Sequence, residues 1–149
     1  MTSIKDLVDP SFTERTIWVQ YLDTFEVQLK FLPRFDVNKI LEKSKTFIWD
    51  KRDHTKIEKL DSEKFYTDLV SKVFAGWKGL TQGILAKMLP VKIINPDEEI
   101  VFSFENAVEL MKNAYDFDIF IQNIIMDIER FQSEKKEEEI KNSESSQGG

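Results

Sequence analysis

The apolar pattern of this chain changes its period at Pro33, and this change restricts the fold more than any other feature of the sequence. Before Pro33, apolar and polar residues alternate over 17–22 and 25–32, which is typical of strands with one buried face. The Asp23-Thr24 junction between the two runs favours a β-hairpin. After Pro33, apolar residues recur at spacings of three and four, which indicates amphipathic helices. Strands followed by helices predict an α+β fold that is mostly α-helical, with the hairpin followed by about four helices around one core.

The first two predicted helices are separated by a charged segment. Apolar spacing predicts a helix over 37–48, with Asp36 as its N-cap. Residues 50–59 are dense in charge and are interpreted as a loop. A second helix is predicted over 62–76, capped by Ser62, and the glycines that follow it break the helix or bend the backbone.

The last two predicted helices have clearer apolar stripes. Ser103 followed by Asn106 resembles a weakened capping box and predicts a helix over 104–114. Asp116 is the expected cap of the next helix, whose stripe over 117–131 is the cleanest helical pattern in the chain.

Composition changes again near the C-terminus, where charged residues give way to serine, glutamine and glycine. We therefore divide the chain into a loosely ordered lead-in over 1–15, a single globular domain over 16–133 and a charged, flexible tail over 134–149.

Charge and composition exclude several classes of function. The chain has 27 acidic and 21 basic residues and a net charge of −6, so it repels phosphate backbones and no nucleic-acid partner is expected. It has no cysteine, and its one histidine, His54, disfavours both a multi-histidine metal centre and a Ser–His–Asp site. The N-terminal residues lack the apolar stretch of a signal peptide, and no run approaches the roughly 20 apolar residues of a membrane span. We expect a soluble cytoplasmic protein with no membrane partner.

Two acidic groups suggest catalysis or metal binding, but each has a structural alternative. Asp97, Glu98 and Glu99 are adjacent in sequence and are interpreted as a solvated turn. Asp116 and Asp118 form an Asp-x-Asp pair of the kind that holds divalent cations, yet they open a helix, where carboxylates are favoured by the helix dipole. The sequence predicts no catalytic site, no cofactor and no metal ion, and hence not an enzyme.

Aromatic residues are numerous, with twelve phenylalanines and three tryptophans. The simpler interpretation is that they fill one aromatic core. The alternative is that part of the hairpin stays exposed and contacts a partner protein, as exposed aromatic patches often do. On this hypothesis the partner-binding residues are Trp18, Tyr21, Phe25 and Phe31.

Five segments, taken in their order and spacing, resemble a known family. They are the two-stranded start that holds Trp18 and Val27-Gln28-Leu29-Lys30-Phe31, the helix that ends Val73-Phe74-Ala75-Gly76-Trp77-Lys78-Gly79-Leu80, the turn Asn95-Pro96-Asp97-Glu98-Glu99-Ile100, the run Phe102-Ser103-Phe104-Glu105-Asn106-Ala107, and Asp116-Phe117-Asp118. The most specific part is the Trp-x-Gly-Leu element, followed by the helix that Ser-x-Glu-Asn-Ala introduces. The family is the tail assembly chaperones of long-tailed (siphovirus-type) bacteriophages. The insert 50–59 and the residues after Gln132 depart from this resemblance.

The resemblance implies a non-enzymatic role in the host cytoplasm. Such chaperones bind the hydrophobic, largely helical tape measure protein, keep it soluble, help to recruit tail tube protein and are absent from the mature virion. Many also exist as a frameshifted longer form, and some form homo-oligomers. The motif residues here are Gly76, Trp77, Gly79 and Leu80. Their structural interpretation is that the glycines permit a tight turn and the tryptophan plugs the core.

Two other functions remain open at this point. One is a small acidic regulatory or inhibitory protein that binds a single globular target, in which case binding weakens steeply with salt. The other is a structural tail-completion protein that is retained in the virion.

Overall fold

The computed structural model of the chain describes residues 2–132. The tail predicted over 134–149 lies outside these residues. In chain order the elements are α1 (Ile4–Leu7), a 3-10 helix (Pro10–Glu14), β1 (Thr16–Gln20), β2 (Glu26–Lys30), α2 (Arg34–Lys43), β3 (Lys45–Asp50), β4 (Thr55–Leu60), α3 (Ser62–Val73), β5 (Phe74–Lys78), α4 (Gln82–Leu85), α5 (Phe104–Asn113) and α6 (Tyr115–Ile125). The mostly helical α+β class is confirmed, and the four predicted helices correspond to α2, α3, α5 and α6.

A three-stranded antiparallel sheet of order β1-β2-β5 supports the core. The predicted N-terminal hairpin is confirmed, since β1 pairs with β2 in a register that sets Val19 against Val27. Side chains alternate between the two faces of the sheet, and the inner face carries Ile17, Val19, Val27 and Leu29, all buried. The outer face carries Thr16, Trp18 and Gln28, which are exposed or half-buried.

The third strand is a correction to the sequence analysis, which extended the second helix to Gly76. Helix α3 ends at Val73, and the chain continues directly into β5, which pairs with the free edge of β2. The turn is fixed at Phe74, whose N–H donates to the carbonyl of Val70 and whose side chain is buried. Strand pairing is favoured over another helical turn because it satisfies the edge of β2, and glycine is a poor helix former.

A second hairpin is a larger correction. The sequence analysis extended the first helix through Ile48 and made a loop of 50–59, but β3 and β4 form a separate two-stranded antiparallel sheet. Helix α2 ends at Lys43, before the Thr46-Phe47-Ile48-Trp49 run of β-branched and aromatic residues, which favours strand. The turn between the strands holds His54 in the left-handed region, at φ 51°.

Helix ends agree with the sequence analysis in one case and differ in others. Ser103 caps α5 as predicted, with its hydroxyl accepting a hydrogen bond from the N–H of Asn106 at 3.0 Å. Helix α3 is capped by Asp61 rather than Ser62. The N-cap of α2 is Pro33 and not Asp36, and that of α6 is Ala114 and not Asp116. Both aspartates lie in the first helical turn, where a carboxylate still meets the positive end of the helix dipole.

The last predicted helix is interrupted. Helix α6 ends at Ile125, Met126 forms a turn, and residues 128–132 are helical again. The interruption reorients the chain while Phe131 remains buried, 5.4 Å from the ring of Phe31. The apolar stripe therefore continues across two helical segments.

The core lies between the inner face of the sheet and the helices α3, α5 and α6. Its largest fully buried side chains include Phe25, Phe74, Phe117, Leu69, Ile121 and Ile125. Tyr66 joins α3 to α6 at the edge of this core, because its hydroxyl donates to the Asp118 carboxylate at 2.8 Å. Burial first, and then this hydrogen bond, raise the pKa of Tyr66 well above its usual value.

Gly79 closes the turn after β5 against the turn between β1 and β2. Its φ is +75°, and a Cβ at this position would overlap the backbone carbonyl of Thr24. The Thr24 hydroxyl donates to the Gly79 carbonyl at 2.8 Å, so the two turns are held in direct contact. Only glycine meets both requirements at this position.

We expect Gly79→Ala to lower the free energy of unfolding by about 2 to 4 kcal/mol, because the new methyl group is strained and forces the two turns apart. Urea unfolding followed by circular dichroism measures the change. Gly76→Ala is the matched control, since its Cβ would lie 3.6 Å from the nearest atom, in the flexible Gln28 side chain. We expect that control to change stability by less than about 1 kcal/mol. Equal effects of the two substitutions would contradict the role assigned to Gly79.

We expect Tyr66→Phe to cost about 1 kcal/mol at neutral pH, from loss of the hydrogen bond to Asp118. The folded-state pKa of Tyr66 is raised, so the stability linked to its protonated form is complete below the unfolded pKa near 10 and is lost as the pH rises through the folded pKa. The stability difference between the two proteins should therefore shrink above about pH 10. Urea unfolding of both proteins at pH 8 and pH 11 measures it, and a constant difference would contradict this account.

Candidate functional site

The second hairpin has no buried side chain. We call residues 45–60 the arm; it comprises β3, β4 and the turn between them. Every residue of β4 is exposed, and the four inner residues of β3 are exposed as well. The arm is anchored at its base, where the N–H of Asp61 donates to the carbonyl of the fully buried Ser44 at 2.8 Å. Lys45 adds ion pairs to Glu42 and Glu58, which hold the base of the arm to the end of α2.

Large apolar side chains lie on both faces of the arm. The strand register places Phe47, Trp49 and Leu60 on one face, which we call the aromatic face, and pairs Ile48 with Ile57 on the other. Phe47 is 66% exposed and Trp49 is 54% exposed. A two-stranded hairpin that rests on no core is marginal in water. The arm therefore has the composition of a surface that is covered by a partner.

The charge of the arm differs from that of the remainder of the chain. The arm has five basic and three acidic side chains, whereas the other residues together have sixteen basic and twenty-four acidic. On the aromatic face, Lys56 lies directly across from Trp49. Glu58 lies across from Phe47 on the same face, so this face carries both signs. The arm as a whole, with five basic and three acidic residues, has a net charge of +2 on a chain that is otherwise acidic.

The residues that the sequence analysis assigned to partner binding are mostly in the core. Phe25 is fully buried, so that prediction is wrong for the folded protein. Tyr21 is half-buried and packs against Phe117 at 5.2 Å between ring centroids. Phe31 is half-buried and packs edge-on against Phe12. The reason is that the face of β2 that carries Phe25, Val27 and Leu29 is the inner face of the sheet.

Trp18 is the one residue of that set on the outer face of the sheet, where it is 41% exposed. Its ring lies under the Lys78 ammonium, 4.3 Å from the ring centroid. Gln28, across from it on β2, and Thr16, two residues earlier on β1, are polar, and the Gln28 amide donates to the Thr16 hydroxyl. Trp18 is therefore isolated among polar groups and does not belong to an apolar patch.

Of the motif residues, Gly79 holds the turn after β5, and Trp77 and Leu80 border a surface groove. Gly76 lies within β5, so the tight-turn interpretation is wrong for this glycine. Trp77 and Leu80 are buried, and the Trp77 indole N–H donates to the carbonyl of Ile100 at 2.9 Å. The groove has a volume of about 210 Å³. Its apolar wall is formed by Trp77, Leu80, Leu85, Leu89, Ile100 and Leu110, and its polar rim by Asn106, Glu109 and Asn113.

Two of the acidic residues considered in the sequence analysis, Asp118 and Glu98, have side-chain hydrogen-bond partners. Asp118 accepts from Tyr66 and from the Gln122 amide, and Glu98 accepts from the Gln82 amide. Over residues 2–132, no group of three histidine, aspartate or glutamate side chains is placed to hold a metal ion. Within the same residues, no helix has the length and apolar character needed to cross a membrane.

Sequence reasoning missed the arm because its charge density was taken as a loop signal. The available signal was the run of β-branched and aromatic residues over 46–49, which is typical of a strand. The exposure of the arm had no signal in the sequence, because consecutive apolar residues such as Phe47, Ile48 and Trp49 are typical of a strand covered on both faces, whereas both faces of this hairpin are exposed.

We expect the double substitution Phe47→Ser and Trp49→Ser to change the free energy of unfolding by less than about 1 kcal/mol, because neither side chain packs on the core. Phe25→Ala, which removes a fully buried ring, should cost about 3 to 5 kcal/mol. Urea unfolding of the three proteins tests this contrast. A large loss of stability in the arm variant would show that the arm packs against the body of the protein.

No protein-family model, curated protein or solved structure in our comparisons matches this chain.

Proposed function

We propose that this protein is a tail assembly chaperone of a long-tailed bacteriophage, which binds the tape measure protein and keeps it soluble while the tail is assembled. The observation that carries client binding is the arm, which presents Phe47, Trp49 and Leu60 on one face and Ile48 and Ile57 on the other. The arm contains the insert 50–59, where the chain departs from the family resemblance, so the choice of family rests on the motifs alone. The order of the motifs around Trp77 and Ser103 supports the same family.

An apolar arm suits a client that consists of long amphipathic helices. Each apolar side chain that it covers contributes about 25 cal/mol per Å² of buried area, before the cost of association is subtracted. Five partly exposed side chains on a narrow ribbon make individually weak contacts. Many copies bound along one client add avidity, while single contacts can still be released when tail tube protein arrives.

The residues outside the arm, which we call the body, are predominantly acidic. This charge suits the second part of the role, which is to keep the complex in solution. Outside the arm, acidic residues exceed basic ones by twenty-four to sixteen. Net charge of one sign makes complexes repel one another and opposes precipitation. In this proposal the arm makes the apolar contacts with the client, and the acidic body keeps the complex soluble.

The proposal includes the family's further partners. These are the tail tube protein and a frameshifted longer form of this chain. The proposed location of these interactions is the cytoplasm of the host. As an assembly factor the protein is absent from the mature virion, whereas a tail-completion protein would remain there. Mass spectrometry of purified virions distinguishes these two functions.

The test is co-expression with the long helical protein encoded immediately downstream, followed by affinity purification and a solubility assay. We expect that protein to be insoluble alone and soluble in complex with the wild-type chain. The Phe47→Ser and Trp49→Ser variant should lose most of this effect. Phe35→Ser, at an exposed aromatic residue outside the arm, is the matched control and should retain it.

Three outcomes would contradict the proposal. The first is a downstream protein that is soluble alone and does not co-purify. The second is an arm variant that solubilises the client as well as the wild type does, which would show that the arm is not the client-binding site. In that case Trp18→Ser tests the outer face of the first hairpin. The third is binding that is abolished by moderate salt, which favours a regulatory protein acting through its acidic surface.

A further inference from the structure

We infer that the arm binds between two amphipathic helices of its client, with one helix on each face, and that both helices carry acidic side chains beside their apolar stripes. The inference rests on the proposed function, because it describes the client surface that the same arm contacts. It goes beyond that function in the number of helices, in their placement on both sides of the arm and in the sign of their charge.

The apolar side chains of the arm are divided between its two faces. Phe47, Trp49 and Leu60 lie on the aromatic face, and Ile48 pairs directly with Ile57 on the opposite face, which we call the aliphatic face. Ile48 and Ile57 are 49% and 47% exposed, which is close to the 54% of Trp49. A single helix on the aromatic face would leave both isoleucines in water. Removing the apolar surface of the arm from water therefore requires a partner on each side.

Each face of the arm has the dimensions of one helix. Two paired strands with their side chains are about 10 Å wide, since neighbouring strands lie about 4.8 Å apart, and a helix with its side chains is about 10 Å in diameter. The six-residue strands extend about 20 Å, which corresponds to about 13 residues of α-helix at about 1.5 Å per residue. Each client helix therefore contacts the arm over about three and a half turns.

The aliphatic face is open to a partner down to the base of the arm. A depression with a volume of about 470 Å³ is lined there by Thr46, Ile48, Lys59 and Leu60 of the arm and by Asp61 and Ser62 at the start of α3. The depression opens to solvent and separates this face from the first turn of α3. Within the described residues, the body thus leaves the aliphatic face accessible to a helix.

The acidic side chains on the two strands of the arm already have partners in the arm. The Glu58 carboxylate lies 2.9 Å from the Lys45 ammonium, and the Asp50 carboxylate accepts from the N–H of Arg52 at 2.8 Å. The negative charge of Glu58 beside Phe47 is therefore compensated by a neighbouring lysine.

Each face also carries one lysine that lacks such a partner. Lys56 on the aromatic face and Lys59 on the aliphatic face form no ion pair with another residue of 2–132. Lys56 lies across from Trp49, and Lys59 follows Ile57 by two residues on the same face. A client carboxylate beside an apolar stripe is attracted to each lysine, whereas a client lysine there is repelled. The partner of each face is therefore an amphipathic helix with acidic borders.

The first experiment places the photo-crosslinking amino acid benzoylphenylalanine at position 47 or at position 48 of the full-length chain, co-expressed with the long helical protein of the proposed function. These adjacent positions point to opposite faces of the arm. We expect both to form crosslinks with the client, and mass spectrometry should locate them in two separate helical segments with acidic residues beside the apolar stripe. Position 35, at an exposed aromatic residue outside the arm, is the control and should form none.

The second experiment measures the amount of soluble client that co-purifies with variants of the chain, each shown to be folded by circular dichroism. Ile48→Ser with Ile57→Ser should lower this amount at least about threefold, as should Phe47→Ser with Trp49→Ser, because each pair removes the apolar contact on one face.

Reversal of charge tests the acidic borders in the same assay. Lys56→Glu with Lys59→Glu should lower the amount of client at least about twofold, because each glutamate repels a client carboxylate. Lys5→Glu with Lys92→Glu makes the same change of charge at exposed lysines outside the arm and should leave the amount unchanged.

The outcomes separate this inference from the proposed function. Crosslinks from position 47 without crosslinks from position 48 overturn the inference and leave client binding by the aromatic face intact. Crosslinks from both positions to the same client segment overturn it as well, and so does a Lys56→Glu and Lys59→Glu variant that retains the full amount of client. A client that crosslinks to neither position and stays insoluble overturns the proposed function itself.

Discussion

Pairing of β2 on both of its edges is the constraint on which the remainder of the structure depends. Strand β1 covers one edge and β5 covers the other, so a marginal hairpin becomes a three-stranded sheet with a continuous inner face. Strand β5 follows α3 without a loop, and this places α3 directly on the sheet. The contact between Gly79 and Thr24 then holds the end of β5 against the first hairpin. Helices α5 and α6 complete the core on this base.

The two hairpins of the chain have opposite roles because only one of them packs on the helices. In the first, alternation separates a buried face from a polar face, and its aromatic side chains fill the core. In the arm, apolar side chains occupy both faces, and no helix within residues 2–132 covers either. The buried core of the body contains no residue of the arm, so the packing of that core does not involve the arm.

The exposed arm and the remainder of the chain carry net charges of opposite sign. The arm has a net charge of +2 and the remainder of the chain a net charge of −8, so positive charge is concentrated on the exposed ribbon. The groove beside Trp77 shows how one motif serves two purposes. Trp77 and Leu80 are core residues, and they also form part of the wall of the groove at the surface.

The sequence by itself determined the fold class, the first hairpin, the cap at Ser103 and the approximate position of four helices, because period and capping are local properties. It also predicted the structural role of Gly79 and Trp77. The tertiary structure decided what depends on distant partners. Phe74 to Lys78 form a strand because β2 offers a free edge, and Phe25 is buried because helices cover its face. The arm is exposed because no element of the described residues packs on it. A pattern of apolar residues specifies which face they lie on, but not whether another element covers that face.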